Sequence, residues 1–560
     1  MKKILVIFIL VFSFCFTKAQ VPNFQWVQNT FGINQSVIDI VSDATGNFYV
    51  TGYFFSMTDF NPGPGSNFLT PLNGDDIYVV KLNSLGNFLW ARQIDNGMVE
   101  QPLEIYVGTA GNVIVTGLYR QTFSSNYTIF VTKFNGSGII LWDNLLTGPS
   151  TSMYGAGVGY STFIDNSGNV YINGDFNDTM DVDPGSGTFL VYGNQANFTP
   201  LIEKFNSTGS FMWAGTISKL SANAGGRGFS VVTDNSTGNV YTTGNYNGTL
   251  DFDPGLSTYS LTATNTEAYI LNLNSSGNFI WAKQLSGFPS ASSGGSAVRL
   301  DNASNLYCYG WFSGTIDFDS GPGTYTLSSP TPTTNSYFST KLDPLGNFLW
   351  AVAVSGMTVY STDNDGLGNS YLAGNFIGTQ DFDPGLGTFT LTSYGAEDGF
   401  LIKLDANGNF VWAGQIGDIN PNSIARIGVG GASDIYCWGT AGTGICDMDP
   451  GLGIYSWSPS ATNEYFLKIG QTSTGLNNLI RTSEINVYPN PTNGQFNLHF
   501  DKMHENLNVK IMNSLAQVVL QKTVLNTDRL SLCISDQSAG IYFVEVNTGT
   551  NTYRTKVVKE

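Results

Sequence analysis

The chain has 560 residues, of which 13% are aromatic and only 12% charged, about half the usual charged share. Acids outnumber bases by 42 to 24, and the two histidines, His499 and His504, leave residues 1–498 with none. This excludes Ser-His-Asp chemistry, His-ligated zinc and histidine acid–base catalysis from most of the chain, and the aromatic content argues against disorder.

Residues 1–19 begin with Lys2 and Lys3, continue through an apolar run of about a dozen residues and end on a small residue. This layout predicts a secretory signal peptide cut between Ala19 and Gln20. The run is shorter than the roughly 20 residues of a membrane span, and Phe14 ahead of Cys15 does not suit lipoprotein processing. No second apolar span follows, so the mature chain is expected to lack a transmembrane segment. Cys308, Cys437, Cys446 and Cys533 remain after cleavage, too sparse for a disulfide framework. Cys437 and Cys446 are expected either to pair or to be two buried thiols.

Residues 20–470 repeat themselves seven times. An FxWA-like phrase carries Trp26, Trp90, Trp142, Trp213, Trp281, Trp350 and Trp412. A GNxYxTG-like phrase ends at Gly52, Gly117, Gly174, Gly244, Gly310, Gly374 and Gly439. An apolar stretch carries Lys81, Lys133, Lys204, Lys341, Lys403 and Lys468, with Asn272 in the fourth copy. Each copy spans about 64 residues, a period typical of propellers and arrays. The phrases alternate in polarity, are rich in aromatics and are bounded by Gly, Asn and Asp, so they read as antiparallel strands joined by short turns. The predicted blade order is a small-residue strand, the GNxYxTG strand, the Lys strand and the Trp strand. On this phase the chain starts with a lone Trp strand and ends the array on a lone Lys strand. Those two are expected to pair and close a ring without raw sheet edges. A seven-bladed β-propeller follows; an elongated β-solenoid is the alternative.

Between the second and third strands of every copy except the second lies an acidic phrase: Asp59 and Asn61, Asp181 and Asp183, Asp251 and Asp253, Asp317 and Asp319, Asp381 and Asp383, Asp447 and Asp449. Side chains at i and i+2 of an extended segment point the same way. The pairs therefore suggest either Ca²⁺ sites on one face of the ring, since hard cations favour clustered oxygens, or hairpin turns built from Asp, Pro and Gly. Six ligand oxygens are more than one phrase offers, which favours the turn. The repeated Lys reads as a structural ion-pair or snorkelling residue, and the repeated Trp as blade core. Arg92, Arg120, Arg227, Arg299 and Arg426 belong to no recurring phrase.

DNSGNVYINGDF (165–176) and LIKLDANGNFVWA (401–413), with their equivalents, resemble the SBBP-type β-propeller repeats of secreted bacterial proteins. That resemblance implies the fold and carries no shared catalytic residues. DPLGNFLW (343–350) looks like a sialidase Asp-box, but its Asp–Gly and Gly–Trp intervals are each one residue too long.

After a polar linker at 471–483, residues 484–560 change character. Residues 481–560 hold 8 basic and 7 acidic side chains, which leaves 13 basic and 35 acidic for residues 20–480, a net of −22. That charge argues against nucleic acid or an anionic membrane as partner. VYPNPTNG, with Tyr488, Pro489, Asn490, Pro491 and Gly494, is followed by GIYFV, with Gly540 and Tyr542, and by the terminal KVVK, with Lys556 and Lys559. These three ordered motifs resemble the type A C-terminal sorting domain of the type IX secretion system of Bacteroidota. The NSLAQ segment (513–517) departs from that pattern, with Ala516 where the family usually has Gly. The resemblance implies a small Ig-like β-sandwich, export through the outer membrane by the type IX machinery, and a cargo held on surface lipopolysaccharide or released.

Together these readings predict an all-β chain exported through the periplasm to the cell surface or medium. It is expected to act as a non-enzymatic binding or adhesion scaffold for glycan or protein, with the acidic face as its contact surface. A secreted carbohydrate-active enzyme using propeller carboxylates, or a surface-matrix protein, is the alternative.

Overall fold

A computed structural model describes residues 20–560 apart from 73, 96, 98, 121–127, 147–157, 194–196, 432, 452, 460–462, 474–484, 491, 514–517, 548–551 and 560. The signal-peptide reading, including Ala19, lies outside these residues, whereas Gln20 opens the first strand, Gln20–Asn29. Among the described residues every regular element is a strand, and no helix is long and apolar enough to cross a membrane. The chain divides into two compact units, one of which is Pro22–Gln471.

In that unit seven four-stranded antiparallel blades are described. Blade 1 is Gln35–Ser42, Phe48–Phe54, Asp76–Leu82 and Phe88–Ile94, hydrogen-bonded in chain order from the inside outwards. In blade 7, Ser423–Val429, Ile435–Thr440 and Glu464–Ser473 are joined by Gln20–Asn29 as the fourth strand. The first and last strands of the array thus pair, as their complementary phrases require, and the ring closes. The repeated Tyr, Lys and Trp lie opposite one another across three strands: Tyr49 faces Lys81 and Lys81 faces Trp90, and Tyr371, Lys403 and Trp412 do the same. The core lies between blades; that of blades 7 and 1, for example, contains Phe48, Val80, Tyr436 and Phe466.

The acidic phrases form short hairpins between second and third strands, such as Thr179–Asp181 with Leu190–Tyr192. They leave the ring on the face of the fourth-to-first-strand connections: Asp317 pairs with Ser286 at the end of blade 4, and Asp447 with Gly417 at the end of blade 6. They then fold down the outer wall. Pro254 and Pro450 press on Gly215 and Gly414 in the preceding blade's outer strand, where a Cβ would meet the prolines at 2.9 and 2.6 Å. Each hairpin is a wedge filling the gap that opens between blades away from the axis. Phe60, Val182, Phe252, Phe318, Phe382 and Met448, in the middle of the phrases, are fully buried, each contributing about 1.5–3 kcal/mol.

The C-terminal unit contains Ile485–Tyr488, Gln495–Met512, Val518–Cys533, Gly540–Asn547 and Thr552–Lys559. The long Gln495–Met512 strand, irregular between His499 and His504, runs through both halves, so all five strands join in one folded sheet. Its core includes Phe496, Leu498, Val509, Leu532, Val544 and Val557.

Cys437 and Cys446 are two separate buried thiols, not a pair, and Cys308 is a third.

Candidate functional site

The acidic residues serve the hairpins. Asp181 Oδ1 accepts the backbone N–H of Asp183 at 3.1 Å and of Phe189 at 2.9 Å, and Asp183 Oδ1 accepts Gly185 N–H at 2.9 Å. The pattern repeats at Asp251 and Asp253, Asp317 and Asp319, Asp381 and Asp383, and Asp447 and Asp449. Asp59 and Asn61 follow it too, with Asn67 N–H closing at 2.7 Å. Among the described residues no three His, Cys, Asp or Glu side chains gather as a metal-holding group. The pairs of different blades stay apart along the wall, and all but Asp381 are half-buried.

The repeated Lys and Trp join one blade to the next. Trp90 Nε1 and Lys81 Nζ both donate to the Gly136 carbonyl, at 3.2 and 3.4 Å, and Lys81 sits 4.9 Å over the Tyr49 ring. Trp213 and Lys204 share the Ser275 carbonyl, and Trp350 and Lys341 that of Ala406. Lys341 also pairs with Asp301 at 3.1 Å, and Lys468 with Asp434 at 2.8 Å. These residues are structural.

The sevenfold pattern breaks along the axis. Each inner strand carries a β-bulge, after Val37, Pro102, Gly159, Gly228, Gly295, Val359 and Ile424. A bulge re-aims side chains and bends a strand away from pairing. The residue that resumes pairing differs from blade to blade: Asp39, Glu104, Ser161, Ser230, Ala297, Ser361 and Arg426. Five of these accept a backbone N–H from the next blade, which satisfies an inner edge that has no further strand. Asp39 accepts Ile105 N–H at 3.1 Å, Ser161 accepts Val231 at 3.2 Å, Ser230 accepts Val298 at 3.1 Å and Ser361 accepts Ile427 at 3.1 Å. Glu104 accepts Thr162 N–H. Ala297 and Arg426 cannot accept, and at those two steps an ion pair spans the blades instead. Arg299 Nε reaches Asp363 Oδ1 at 3.2 Å, and Arg426 Nε lies 3.7 Å from Asp39 Oδ1.

The five charged groups share the axial channel. A cavity of about 610 Å³ opens towards the first-to-second-strand turns, and one of about 260 Å³ lies towards the opposite face. Asp39, Glu104, Arg299 and Ser361 line both, while Phe229, Tyr309, Tyr337 and Tyr360 wall the smaller. Burial pushes the Asp39 carboxyl up to about 6 despite Arg426, and burial together with Asp39 pushes Glu104 up to about 8. Besides Asp363, the channel thus holds the Asp39 carboxylate, a largely neutral Glu104 carboxyl and two guanidiniums at neutral pH. Sequence reasoning missed this site, because its residues appear once each in strands otherwise read as small-residue strands. The available signal was that no other copy carries Arg at the first-strand position of Arg299 or of Arg426.

In the C-terminal unit the three motifs come together. Asn490 Oδ1 accepts Val558 N–H at 2.8 Å, and Thr492 N–H donates to the Val558 carbonyl at 2.8 Å. Gly540 pairs with Lys559, and Tyr542 with Val557. Residues 486–560 match the secretion system C-terminal sorting domain family. The sorting domain implies type IX secretion and a cell-surface or extracellular destination. Within it Lys559 Nζ donates to the carbonyls of Ser535, at 3.0 Å, and Gln537, and the buried Tyr542 donates to Ser538 at 2.7 Å. Gly494 has φ +120°, and a Cβ there would meet the Ser535 backbone at 2.6 Å. Pro489 is exposed. Pro491 lies outside the described residues, and Tyr488 and Lys556 are placed by their backbones, in the first and last strands of the unit.

The chain is also similar to an uncharacterized WD repeat-containing protein of Acanthamoeba polyphaga mimivirus, at 28% identity over 56% of this chain. It spans about a third of that relative's length, 33%. Among solved structures, a chain of a mitotic checkpoint complex matches at 8% identity and TM-score 0.39, covering 84% of this chain and 97% of that one. A member of the DUF4221 family from Bacteroides vulgatus matches at 11% identity and TM-score 0.27, covering 64% of this chain and 93% of that one.

Proposed function

We propose that this protein is an exported, non-enzymatic binding scaffold, presented on the outer surface or released, whose ring contacts a glycan or protein with the face bearing the second-to-third and fourth-to-first-strand connections. One observation carries the reading: exposed apolar side chains crowd that face. Phe55, Met57, Phe288, Ile377, Tyr394 and Ile419 are all more than half exposed there. The opposite face is made of short turns capped by their own Asp and Asn side chains, as at Asp43 and Asp165, with Leu85, Ile139, Leu345 and Leu367 among its exposed apolar residues. Large exposed apolar side chains gathered on one face are the kind of surface that serves interaction on soluble domains. The apolar tips therefore take the contact role that the sequence suggested for the acidic loops. The sorting domain supplies the route by which the ring meets extracellular partners.

The test is a panel of polysaccharides and matrix proteins read for both binding and turnover. Saturable binding weakened at least tenfold by Tyr394→Ala with Ile419→Ser supports the reading; turnover of any polysaccharide overturns the non-enzymatic part. One observation favours the enzymatic alternative, namely that Asp39 and Glu104 lie in one channel with carboxyls pushed to different heights, a pattern found in acid–base pairs. Against it, Glu104 spends its oxygens on Thr162 N–H and Ser161 Oγ.

A further inference from the structure

We infer that the axial channel is a binding site for a small carboxylate-bearing molecule of sugar-acid size, held between the guanidinium groups of Arg299 and Arg426. This site is separate from the apolar face and does not depend on that face's ligand.

The acceptors are largely spent. Asp363 gives Oδ1 to Arg299 and Oδ2 to Val429 N–H at 2.9 Å. Glu104 gives one oxygen to Thr162 N–H and the other to Ser161 Oγ at 3.4 Å. Asp39 gives Oδ2 to Ile105 N–H. The channel-facing Ser161, Ser230 and Ser361 hydroxyl oxygens each accept a backbone N–H.

The donors are not spent. Arg299 uses Nε on Asp363 and Nη1 on the Val298 carbonyl at 3.0 Å, which leaves Nη2 without a partner among the described residues. Arg426 uses Nη1 on the Ala425 carbonyl at 2.9 Å. Its Nε stands 3.7 Å from Asp39, within ion-pair range but beyond hydrogen-bond length, so Nε and Nη2 both remain to be used. The two side chains keep 32% and 38% of their surface accessible, so these donors face the channel rather than the core.

A site with surplus fixed donors and spent acceptors is complementary to an acceptor-rich ligand. The planar fork of Arg selects a carboxylate, which accepts two parallel N–H bonds. Asp39 and Asp363 balance the two guanidiniums, and Glu104, held neutral by burial, adds no opposing charge near pH 7. Phe229, Tyr309, Tyr337 and Tyr360 offer aromatic walls for the apolar face of a ring. Arg426 and these aromatic walls line the smaller cavity of about 260 Å³, and Arg299 stands where it meets the cavity of about 610 Å³, so the two together offer the room of a small-molecule site. Neither Arg belongs to the repeat, so the fold itself does not require them: blades 1 to 4 stitch to their neighbours with Asp, Glu or Ser alone.

Calorimetric titration of the full chain with D-glucuronate, with D-glucose and D-glucosamine as neutral and cationic controls, tests this. Glucuronate is expected to bind at a one-to-one ratio at least tenfold more tightly than either control. Arg426→Gln should weaken it at least tenfold, and Arg426→Lys, which keeps the charge and loses the fork, should also weaken it. If Arg426→Gln does not fold, Tyr360→Ala, at an exposed bulge outside the stitches, should weaken binding severalfold without moving the unliganded melt. Equal binding of all three sugars, or none by the folded chain, overturns the proposal, as does glucuronate binding that survives Arg426→Gln in a folded ring. Loss of panel binding in Tyr394→Ala with Ile419→Ser is expected to leave glucuronate binding unchanged, which keeps the two readings separable.

Discussion

Lys403 donates to the side-chain oxygen of Gln471 at 2.6 Å, and Gln471 in turn donates to the Tyr371 hydroxyl at 2.9 Å and to the Ser433 carbonyl. In the other Lys-bearing blades the ammonium reaches a backbone carbonyl in a turn of a neighbouring blade, as Lys204 does at Ser275 and Lys468 at Ser84. Blade 7 has no turn between its third and fourth strands, because the fourth comes from the N-terminus. Gln471, the last residue of the propeller unit, fills that place with a side chain.

Gln471→Ala removes three hydrogen bonds that tie the third strand of blade 7 to blade 6 and to the Ser433 turn. The expected cost is about 1–3 kcal/mol, read as a lower midpoint in urea at unchanged slope. A midpoint equal to that of the parent would show that packing between blades 6 and 7 holds without these bonds.

Blade 4 supplies a complementary experiment. Asn272 occupies the Lys position, between Tyr241 and Trp281, and both of its side-chain polar atoms are buried without a partner, as is Trp281 Nε1. Asn272→Lys should restore the cation over Tyr241 and its reach towards the next blade's turn. Gains of this kind commonly amount to about 0.5–2 kcal/mol. A melt at or below the parent's would mean that the blade 5 turn at Pro344 presents no usable carbonyl.

The ring closure, blade order and structural character of the repeated Lys were legible in the sequence, because they recur and repetition turns weak local signals into a pattern; its reach to a neighbouring blade was not. The acidic phrases were half legible. The turn chemistry of Asp181 and Asp183 is local and readable, but their descent along the outer wall depends on a gap between blades that no single phrase reveals. The channel charges were not legible. Asp39, Glu104 and Arg426 meet only because seven bulged strands converge, and each sits alone in its own copy. The sorting motifs were readable as a set, whereas the contact of Asn490 with Val558 spans most of that domain's sequence.

Glu203 stands at a strand position that holds Val80, Leu271, Ile402 and Leu467 in other blades. It is 1% exposed, and neither carboxyl oxygen has a partner among the described residues. Burial pushes its pKa well above the ordinary value. The folded state therefore favours the neutral acid. Its contribution is fully present below the unfolded pKa of about 4.3 and is lost as pH rises from there through the raised folded value. Glu203→Ile should raise stability at pH 7 by about 1–4 kcal/mol and by less at pH 4. An equal gain at both pH values would show that packing, not ionisation, is responsible.

If the acidic pairs act as turn caps, Asp251→Ala should lower stability by about 1–2 kcal/mol, since two backbone N–H groups lose their acceptor. Chelator should leave the melting temperature of the parent in place, and calorimetry with Ca²⁺ should show no heat of binding. A chelator-induced drop in melting, reversed by Ca²⁺, would instead return these carboxylates to a metal role.

The sorting motifs form one folded locus, so the signal should depend on shape as well as on terminal sequence. Asn490 holds the last strand through Val558, and Lys559 ties that strand to the Ser535–Gln537 turn. Asn490→Ala removes one acceptor and leaves the terminal KVVK sequence intact. Deletion of residues 484–560 is expected to abolish export by the type IX machinery, and Asn490→Ala to reduce the surface-exposed fraction severalfold, with the protein retained in the periplasm. The isosteric replacement Asn490→Asp keeps a side-chain acceptor for Val558 N–H and should restore export. Full export of Asn490→Ala would show that the terminal sequence is read without the fold that presents it.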